Sequence, residues 1–194
     1  MSHAGYCLFD TPLGWCGIAW RDGGASAAPP AVTLLQLPEA SAERTASRMA
    51  RASGAPGPSA PPPPIAGIIY RLCRHLAGEA QDLRDIVVDL TGADAFARQV
   101  YEAARAIPPG QTRTYGEIAK SLDQPREAQA VGQALGKNPI ALIIPCHRVV
   151  AAGGKSGGFS AHGGRATKSR LLAIEGARTA PIQLELGPAS RARR

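Results

Sequence analysis

The sequence predicts an α/β N-terminal domain, a small antiparallel sheet with helices over residues 1–92, joined to a mainly α C-terminal domain over 93–178. The second domain contains a helix-turn-helix, and a basic tail spans 179–194. Three observations carry this division. Short β-type runs bounded by turn residues crowd into the first half. Helical apolar spacing dominates the second. The charge also splits: residues 1–95 hold seven arginines and no lysine against nine acids, net −2, whereas residues 96–194 hold fifteen lysines and arginines against six acids, net +9.

In chain order, Tyr6–Asp10 and Trp15–Trp20 read as strands joined by a Thr-Pro-Leu-Gly turn, with Val32–Leu37 as a third. Ala40–Arg51 has helix-forming composition with weak apolar periodicity, which predicts a surface helix. Arg51–Pro64 contains six prolines and two glycines, which predicts an exposed polyproline-type connector. Ile65–Ala77 reads as a helix and Ile86–Leu90 as a short buried strand. Phe96, Val100, Ala104 and Ile107 share one helical face, and Pro108-Pro109-Gly110 stops that helix. Thr114-Tyr115-Gly116-Glu117 matches a capping box and opens a helix with Ile118, Ala119 and Leu122 inward. Pro125 opens the next, with Ala128, Val131 and Leu135 inward and Gly136 closing it. Two short helices around a tight turn have helix-turn-helix spacing. Ile140–Ile144 reads as an apolar strand running into Pro145-Cys146-His147-Arg148. A glycine-rich loop follows, and a last helix covers about Thr167–Ile174.

Composition excludes several classes. With 44% hydrophobic residues the chain can build a core. Its longest apolar runs fall far below the ~18–20 residues of a bilayer span. Met1–Asp10 shows no signal-peptide pattern, and the four cysteines form no disulfide-framework spacing and no CxxC pair. These features predict an intracellular, cytoplasmic, reduced protein with no membrane partner. The basic excess of the second half favours a polyanion, most simply nucleic acid.

Cys146 is the residue type and setting to examine for chemistry. It follows a rigid proline and precedes His147 and Arg148. A free thiol has a pKa of about 8.5, so only a few per cent is thiolate at neutral pH; a nearby base and cation would change that. On an extended chain His147 would point away from the sulfur, which favours a bridging water over direct contact. Glu175 is the sole acid between Cys146 and Pro181, and on the other ring nitrogen it would make His147 a better base. Spacing alone leaves open an inert buried thiol beside a surface histidine. Cys7, Cys16, Cys73 and His75 could be imagined around zinc, but no pair has structural-zinc spacing, so no metal site is predicted. Gly153–Gly164 lacks the Gly-Lys-Ser/Thr ending of a phosphate loop; its glycines would let backbone approach a ligand closely.

Pro145-Cys146-His147-Arg148-Val149, preceded by Asn138-Pro139, resembles the signature of the O6-alkylguanine-DNA alkyltransferases. Ordered matches extend the resemblance over about Phe96–Ala177: Ile107-Pro108-x-Gly110, Thr114-Tyr115-Gly116, Ala130-Val131-Gly132, Gly158-Phe159-Ser160 and Leu171-Leu172-x-x-Glu175-Gly176. The first half is similar in outline only. The resemblance implies direct DNA repair without a cofactor. The alkyl group of O6-alkylguanine, and of O4-alkylthymine, passes irreversibly to Cys146 in a single turnover on double-stranded DNA. It implies a monomer and makes 93–178 the DNA-binding alkyltransferase domain. His147 and a water would take the thiol proton, Glu175 would orient His147, and Asn138 would hold the active-site turn. Tyr115 would press on the DNA backbone and protonate the leaving base. Val149 and Ser160 would contact guanine, Phe159 would wall the pocket, and Arg126, Gln129, Ala130, Gly132, Arg148 and Lys168 complete the implied DNA- and substrate-binding set. Burial of the guanine O6 edge in the duplex is why base flipping is required.

Two departures stand out. The family usually has arginine where this chain has Gln129, filling the space left by the flipped base, and a small residue where it has Glu127. A carboxylate facing phosphates opposes binding, and Arg126 would compensate. The loop from Gly157 to Gly164 is also longer than the usual pattern. Three other functional classes compete with repair: a non-catalytic alkyl-lesion-binding protein, disfavoured by the presence of Cys146; an alkylation-sensing helix-turn-helix regulator, disfavoured by the lack of a separate effector domain; and a cysteine hydrolase, disfavoured because no distant catalytic histidine is apparent.

Overall fold

The computed structural model describes residues 4–23, 28–154 and 157–177. The first three strands, β1 (Ala4–Phe9), β2 (Cys16–Arg21) and β3 (Ala31–Gln36), form an antiparallel sheet in sequence order. Thr11 fixes the β1–β2 turn. Its hydroxyl donates to the Gly14 carbonyl at 2.7 Å and its carbonyl accepts from the Gly14 N–H at 2.8 Å. Gly14 has φ 114°, a backbone region that L side chains disfavour. Helices α1 (Ala42–Ala52) and α2 (Pro63–Leu76) follow. α1 lies mostly on the surface and buries Thr45 and Met49.

The proline-rich connector is shorter than expected. Pro63 and Pro64 are the first residues of α2, with Pro62 at its N-cap. A first helical turn has no use for the N–H groups that proline lacks, and proline's fixed φ suits it. Ile86–Leu90 is also not a strand. It makes one parallel bridge, Val32 to Val88, with N–H···O bonds of 2.9 and 2.8 Å.

The second half is helical: α3 (Ala95–Arg105), α4 (Tyr115–Ser121), α5 (Ala128–Gly136) and α6 (Arg165–Ile174). The capping box at α4 forms as expected. Thr114 N–H donates to Glu117 Oε2 at 2.6 Å, and Glu117 N–H donates to Thr114 Oγ1 at 3.1 Å. α5 begins at Ala128 rather than Pro125, because 123–127 form the tight turn, with Asp123 at φ 59°. α4 and α5 pack together, and α3 backs α5 through a hydrogen bond from the Tyr101 hydroxyl to the Ala134 carbonyl at 3.0 Å. Two-residue strands β4 (Arg113–Thr114) and β5 (Val149–Val150) pair in parallel, so the start of the helix-turn-helix is tied to the segment after Cys146.

One apolar cluster runs through both halves. It includes Ile18 and Leu35 of the sheet, Leu72 of α2, Val100 of α3, Ile118 of α4 and Leu171 of α6. Ile140 bridges to Leu35 on the edge of the sheet, with Leu35 N–H donating to the Pro139 carbonyl at 2.9 Å. Continuous burial across the two halves fixes where α2 sits relative to the segment around Cys146. The basic tail 179–194 lies outside the described residues.

Candidate active site

The segment leading to Cys146 is a turn, not the expected strand. Ile140–Ile144 folds back on itself: Ile144 N–H donates to the Ile140 carbonyl at 2.9 Å, and Leu142 sits at φ 68°. A buried leucine in the left-handed region is strained, and the surroundings must hold it. Asn138 supplies part of that hold. Its Nδ2 donates to the Ile144 carbonyl at 2.8 Å and its Oδ1 accepts from the Ile140 N–H at 2.9 Å. Cys146–Arg148 then form one 3-10 turn, in which successive side chains diverge by roughly a third of a revolution. Cys146 reaches the pocket while His147 and Arg148 turn into the protein.

Behind the pocket is a buried charged cluster centred on Glu175, just past α6. His147 Nε2–H donates to Glu175 Oε1 at 2.9 Å. Arg148 grips both carboxylate oxygens, Nε to Oε2 at 2.9 Å and Nη2 to Oε1 at 2.7 Å, and its Nη1 donates to the Ile107 carbonyl at 2.6 Å. His75, from α2, donates through Nε2 to the same Oε1 at 2.9 Å. Burial pushes the Glu175 carboxyl up, but these hydrogen bonds win and hold it well below the usual carboxylate range. Since an ionised carboxylate only accepts, His147 carries its proton on Nε2, leaving Nδ1 as the basic nitrogen. That Nδ1 is buried and has no hydrogen-bond partner among the described residues.

Burial lowers the pKa of His147 below its ordinary value, against the pull of Glu175. Burial likewise raises that of the Cys146 thiol, opposed by Asn138 and by the charge of Lys168. The resting sulfur is therefore a protonated thiol next to a neutral imidazole: a nucleophile that needs its base at the moment of reaction. Lys168 is fully buried and pushed down to about 8 by desolvation. Its Nζ donates to the Val149 carbonyl at 2.6 Å and the Gly158 carbonyl at 3.3 Å, and lies 5.7 Å from the centre of the Tyr115 ring.

Cys146 lines a cavity of about 580 Å³ together with Tyr115, Gln129, Gly132, Phe159 and Ser160. Tyr115 opens α4, Gln129 and Gly132 come from α5, and Phe159 and Ser160 from the glycine-rich loop. Gly157 has φ 68°, and a Cβ there would lie 3.0 Å from both Cε2 and the hydroxyl of Tyr115. That glycine makes room for the tyrosine ring as well as for the turn.

Other residues of the expected set lie elsewhere. Arg126 is exposed on the α4–α5 turn. Ala130 faces the opposite side of α5, in a cleft with Phe96 and Tyr101. Arg148 corrects the expectation of a DNA contact: it is 5% exposed, with its guanidinium bound to Glu175 and Ile107. Lys168 points inward too, so Arg148 and Lys168 are buried within the protein rather than turned toward solvent. Val149 is buried, with its carbonyl already taken by Lys168. Sequence reasoning missed the engagement of His75 with Glu175. A histidine sharing a helix face with Leu72 and Leu76 was the available signal for burial, but nothing in the sequence indicated its partner. Both nitrogens of His75 are engaged, by Glu175 and by the Gln81 N–H, which removes it from any zinc site. Among the described residues, no group of three or more His, Cys, Asp or Glu is placed to hold a metal ion.

Fold and site together define a class: a helix-turn-helix protein whose supporting core presents one buried thiol, with an adjacent imidazole–carboxylate pair, to a pocket beside the second helix. Comparison with known proteins agrees. The family model for the DNA-binding domain of 6-O-methylguanine DNA methyltransferase matches residues 95–177. A methylated-DNA–protein-cysteine methyltransferase of Mycolicibacterium paratuberculosis is 38% identical over 181 residues, covering 93% of this chain and 97% of that protein. One from Mycobacterium bovis is 45% identical over 125 residues, 64% of this chain and 73% of that one. The crystal structure of Mycobacterium tuberculosis O6-methylguanine methyltransferase aligns with TM-score 0.67 and 35% identity over 93% of this chain and 97% of its own. That of Mycobacterium tuberculosis OGT in complex with DNA aligns with TM-score 0.67 and 34% identity over 89% and 92%. The chain belongs to the methylated-DNA–protein-cysteine methyltransferase family.

Proposed function

We propose that this protein repairs DNA directly, taking the alkyl group of O6-alkylguanine, and of O4-alkylthymine, onto Cys146 in a single turnover. The observation that carries the reading is the placement of Cys146: its sulfur lines the pocket while His147, one residue on, is locked to Glu175 behind it. The flipped base enters between Tyr115 and the Phe159–Ser160 loop. A water relays the thiol proton to His147 Nδ1, and the sulfur attacks the alkyl carbon. One S–C bond forms as the C–O6 bond breaks, and guanine leaves. Tyr115, kept protonated because burial raises its pKa, gives the departing base a proton, which the one taken from sulfur replaces. A thioether has no facile return path, so each molecule acts once.

In this reading residues 93–178 are the DNA-binding alkyltransferase domain and 1–92 brace it. The partner is duplex DNA, met in the cytoplasm by a monomer. Exposed Arg113, Arg126 and Lys120 lie on the helix-turn-helix and would meet phosphates. A pocket-lining cysteine with its own base argues against a non-catalytic lesion binder or a regulator. Intact-mass measurement after incubation with O6-methylguanine duplex tests the proposal. A stoichiometric gain of one methylene, mapped to Cys146, is expected; an unchanged mass, or a label on Cys7, Cys16 or Cys73, overturns it.

A further inference from the structure

Glu175 collects more donors than it needs to orient one imidazole. Oε1 alone accepts from His147 Nε2, Arg148 Nη2 and His75 Nε2, at 2.9, 2.7 and 2.9 Å. His75 arrives from the other half of the molecule, a hundred positions earlier in the chain. Its side chain is 1% exposed and that of Glu175 is 2% exposed. The tautomer is fixed from behind: Gln81 N–H donates to His75 Nδ1 at 3.1 Å, so the ring proton sits on Nε2, facing the carboxylate. In that form the ring offers Glu175 an N–H and no charge.

We propose that His75 is a positioning residue for alkyl transfer. It fixes Glu175 from the far side and shares Oε1 with His147, so that His147 presents an unprotonated Nδ1 toward Cys146. The inference rests on the repair reading above and deepens it. Two imidazoles on one oxygen compete: each hydrogen bond accepted from His75 leaves less negative charge to stabilise an imidazolium at His147. The groups facing this cluster are His75 from α2, Cys146 and Arg148 from the 3-10 turn, and Glu175 after α6; Lys168, Tyr101 and Tyr115 surround the sulfur. His147 must accept a proton for transfer to proceed, so the rate rises with pH along an acid limb set by His147. Without the His75 N–H, Glu175 holds the His147 proton more tightly and that limb moves to higher pH.

The test measures single-turnover alkylation of Cys146 by free O6-benzylguanine across the acidic to mildly alkaline range, in the parent and in His75→Leu, His75→Gln and His75→Asn. The amide nitrogen of Gln reaches about where Nε2 lies, whereas that of the shorter Asn does not. The expected result is an acid limb shifted upward by about half a pH unit or more in Leu and Asn, with Gln restoring the parental midpoint. If Leu does not fold, the Gln–Asn pair decides. Equal slowing at every pH with an unmoved midpoint, or a Gln variant no better than Asn, overturns the proposal and leaves His75 as packing. A parent that never gains the alkyl group overturns the repair reading itself, and this inference with it.

Discussion

The N-terminal sheet and the C-terminal pocket each bury a thiol, and only one has a neighbourhood that can use it. Cys16 on β2 is 0% exposed, with the Thr11 hydroxyl 3.7 Å away, and burial pushes it up to about 12. Cys146 is 8% exposed and burial raises its pKa as well. Burial alone therefore silences a thiol in both places. The difference lies in what surrounds the sulfur. Cys146 faces a cavity, has an imidazole with a free basic nitrogen next in sequence, and has a carboxylate fixing that imidazole.

The sharpest way to break this comparison is to exchange the two roles. Cys146→Ser should abolish alkyl transfer while leaving DNA binding largely intact, because an alcohol is a far poorer nucleophile than a thiolate. Cys16→Ala should keep transfer at the parental rate and cost about 1 kcal/mol of stability. Intact mass and denaturant unfolding measure the pair; transfer lost with Cys16 and kept in Cys146→Ser would reverse the assignment.

Next in size is the cluster that distinguishes the sites. Glu175→Gln leaves Arg148 buried without its counter-charge, and breaking such a pair costs about 3–5 kcal/mol. The pH dependence has a definite sign. With its folded value held below the unfolded one, Glu175 contributes stability that is fully present above about pH 4.3 and lost as pH falls. The parent should thus weaken in acid through this group, and Glu175→Gln should show a flatter profile there. An equally steep acid limb in the variant would place the dependence elsewhere.

What could be read from the sequence follows the range of the interactions. The three strands and the capping box at Thr114 came from local pattern, and the pairing of His147 with Glu175 from the family resemblance, helped by the scarcity of acids after Cys146. Leu142 in the left-handed region was not legible, because the Asn138 brackets that hold it act across a turn that reads as a plain apolar strand. The resemblance put Arg148 among the DNA contacts, and its burial against Glu175 and Ile107 leaves no mark in the sequence. His75 reaches Glu175 only through the packing of α2 against α6, and no spacing rule spans that distance.

A smaller effect separates the pocket wall from its base. Lys168→Met keeps length and apolar packing but removes the donor to the Val149 and Gly158 carbonyls. Losing a charge-assisted hydrogen bond of about 1.5 kcal/mol should slow transfer about tenfold. Because these bonds hold the loop and not the DNA, free O6-benzylguanine and duplex should be slowed alike. A loss confined to duplex would make Lys168 a DNA contact after all.

The smallest expected effect asks how a base reaches Cys146 when nothing reaches Cys16. Gln129 is exposed on α5 at the rim of the pocket. If α5 enters the minor groove, residue 129 stands where the flipped base has left. A glutamine can hydrogen-bond the orphaned cytosine but adds no charge near phosphate. Flipping costs a few kcal/mol, and exchanging a neutral hydrogen bond for a charge-assisted one gains about 1 kcal/mol. Gln129→Arg should therefore raise the rate on duplex O6-methylguanine several-fold and leave the reaction with free O6-benzylguanine, which needs no flipping, unchanged. The quantity to compare is the ratio of those two rates in variant and parent. An equal change in both would mean that residue 129 acts on the pocket itself, and a slower duplex reaction would mean that glutamine is already the better plug beside Glu127.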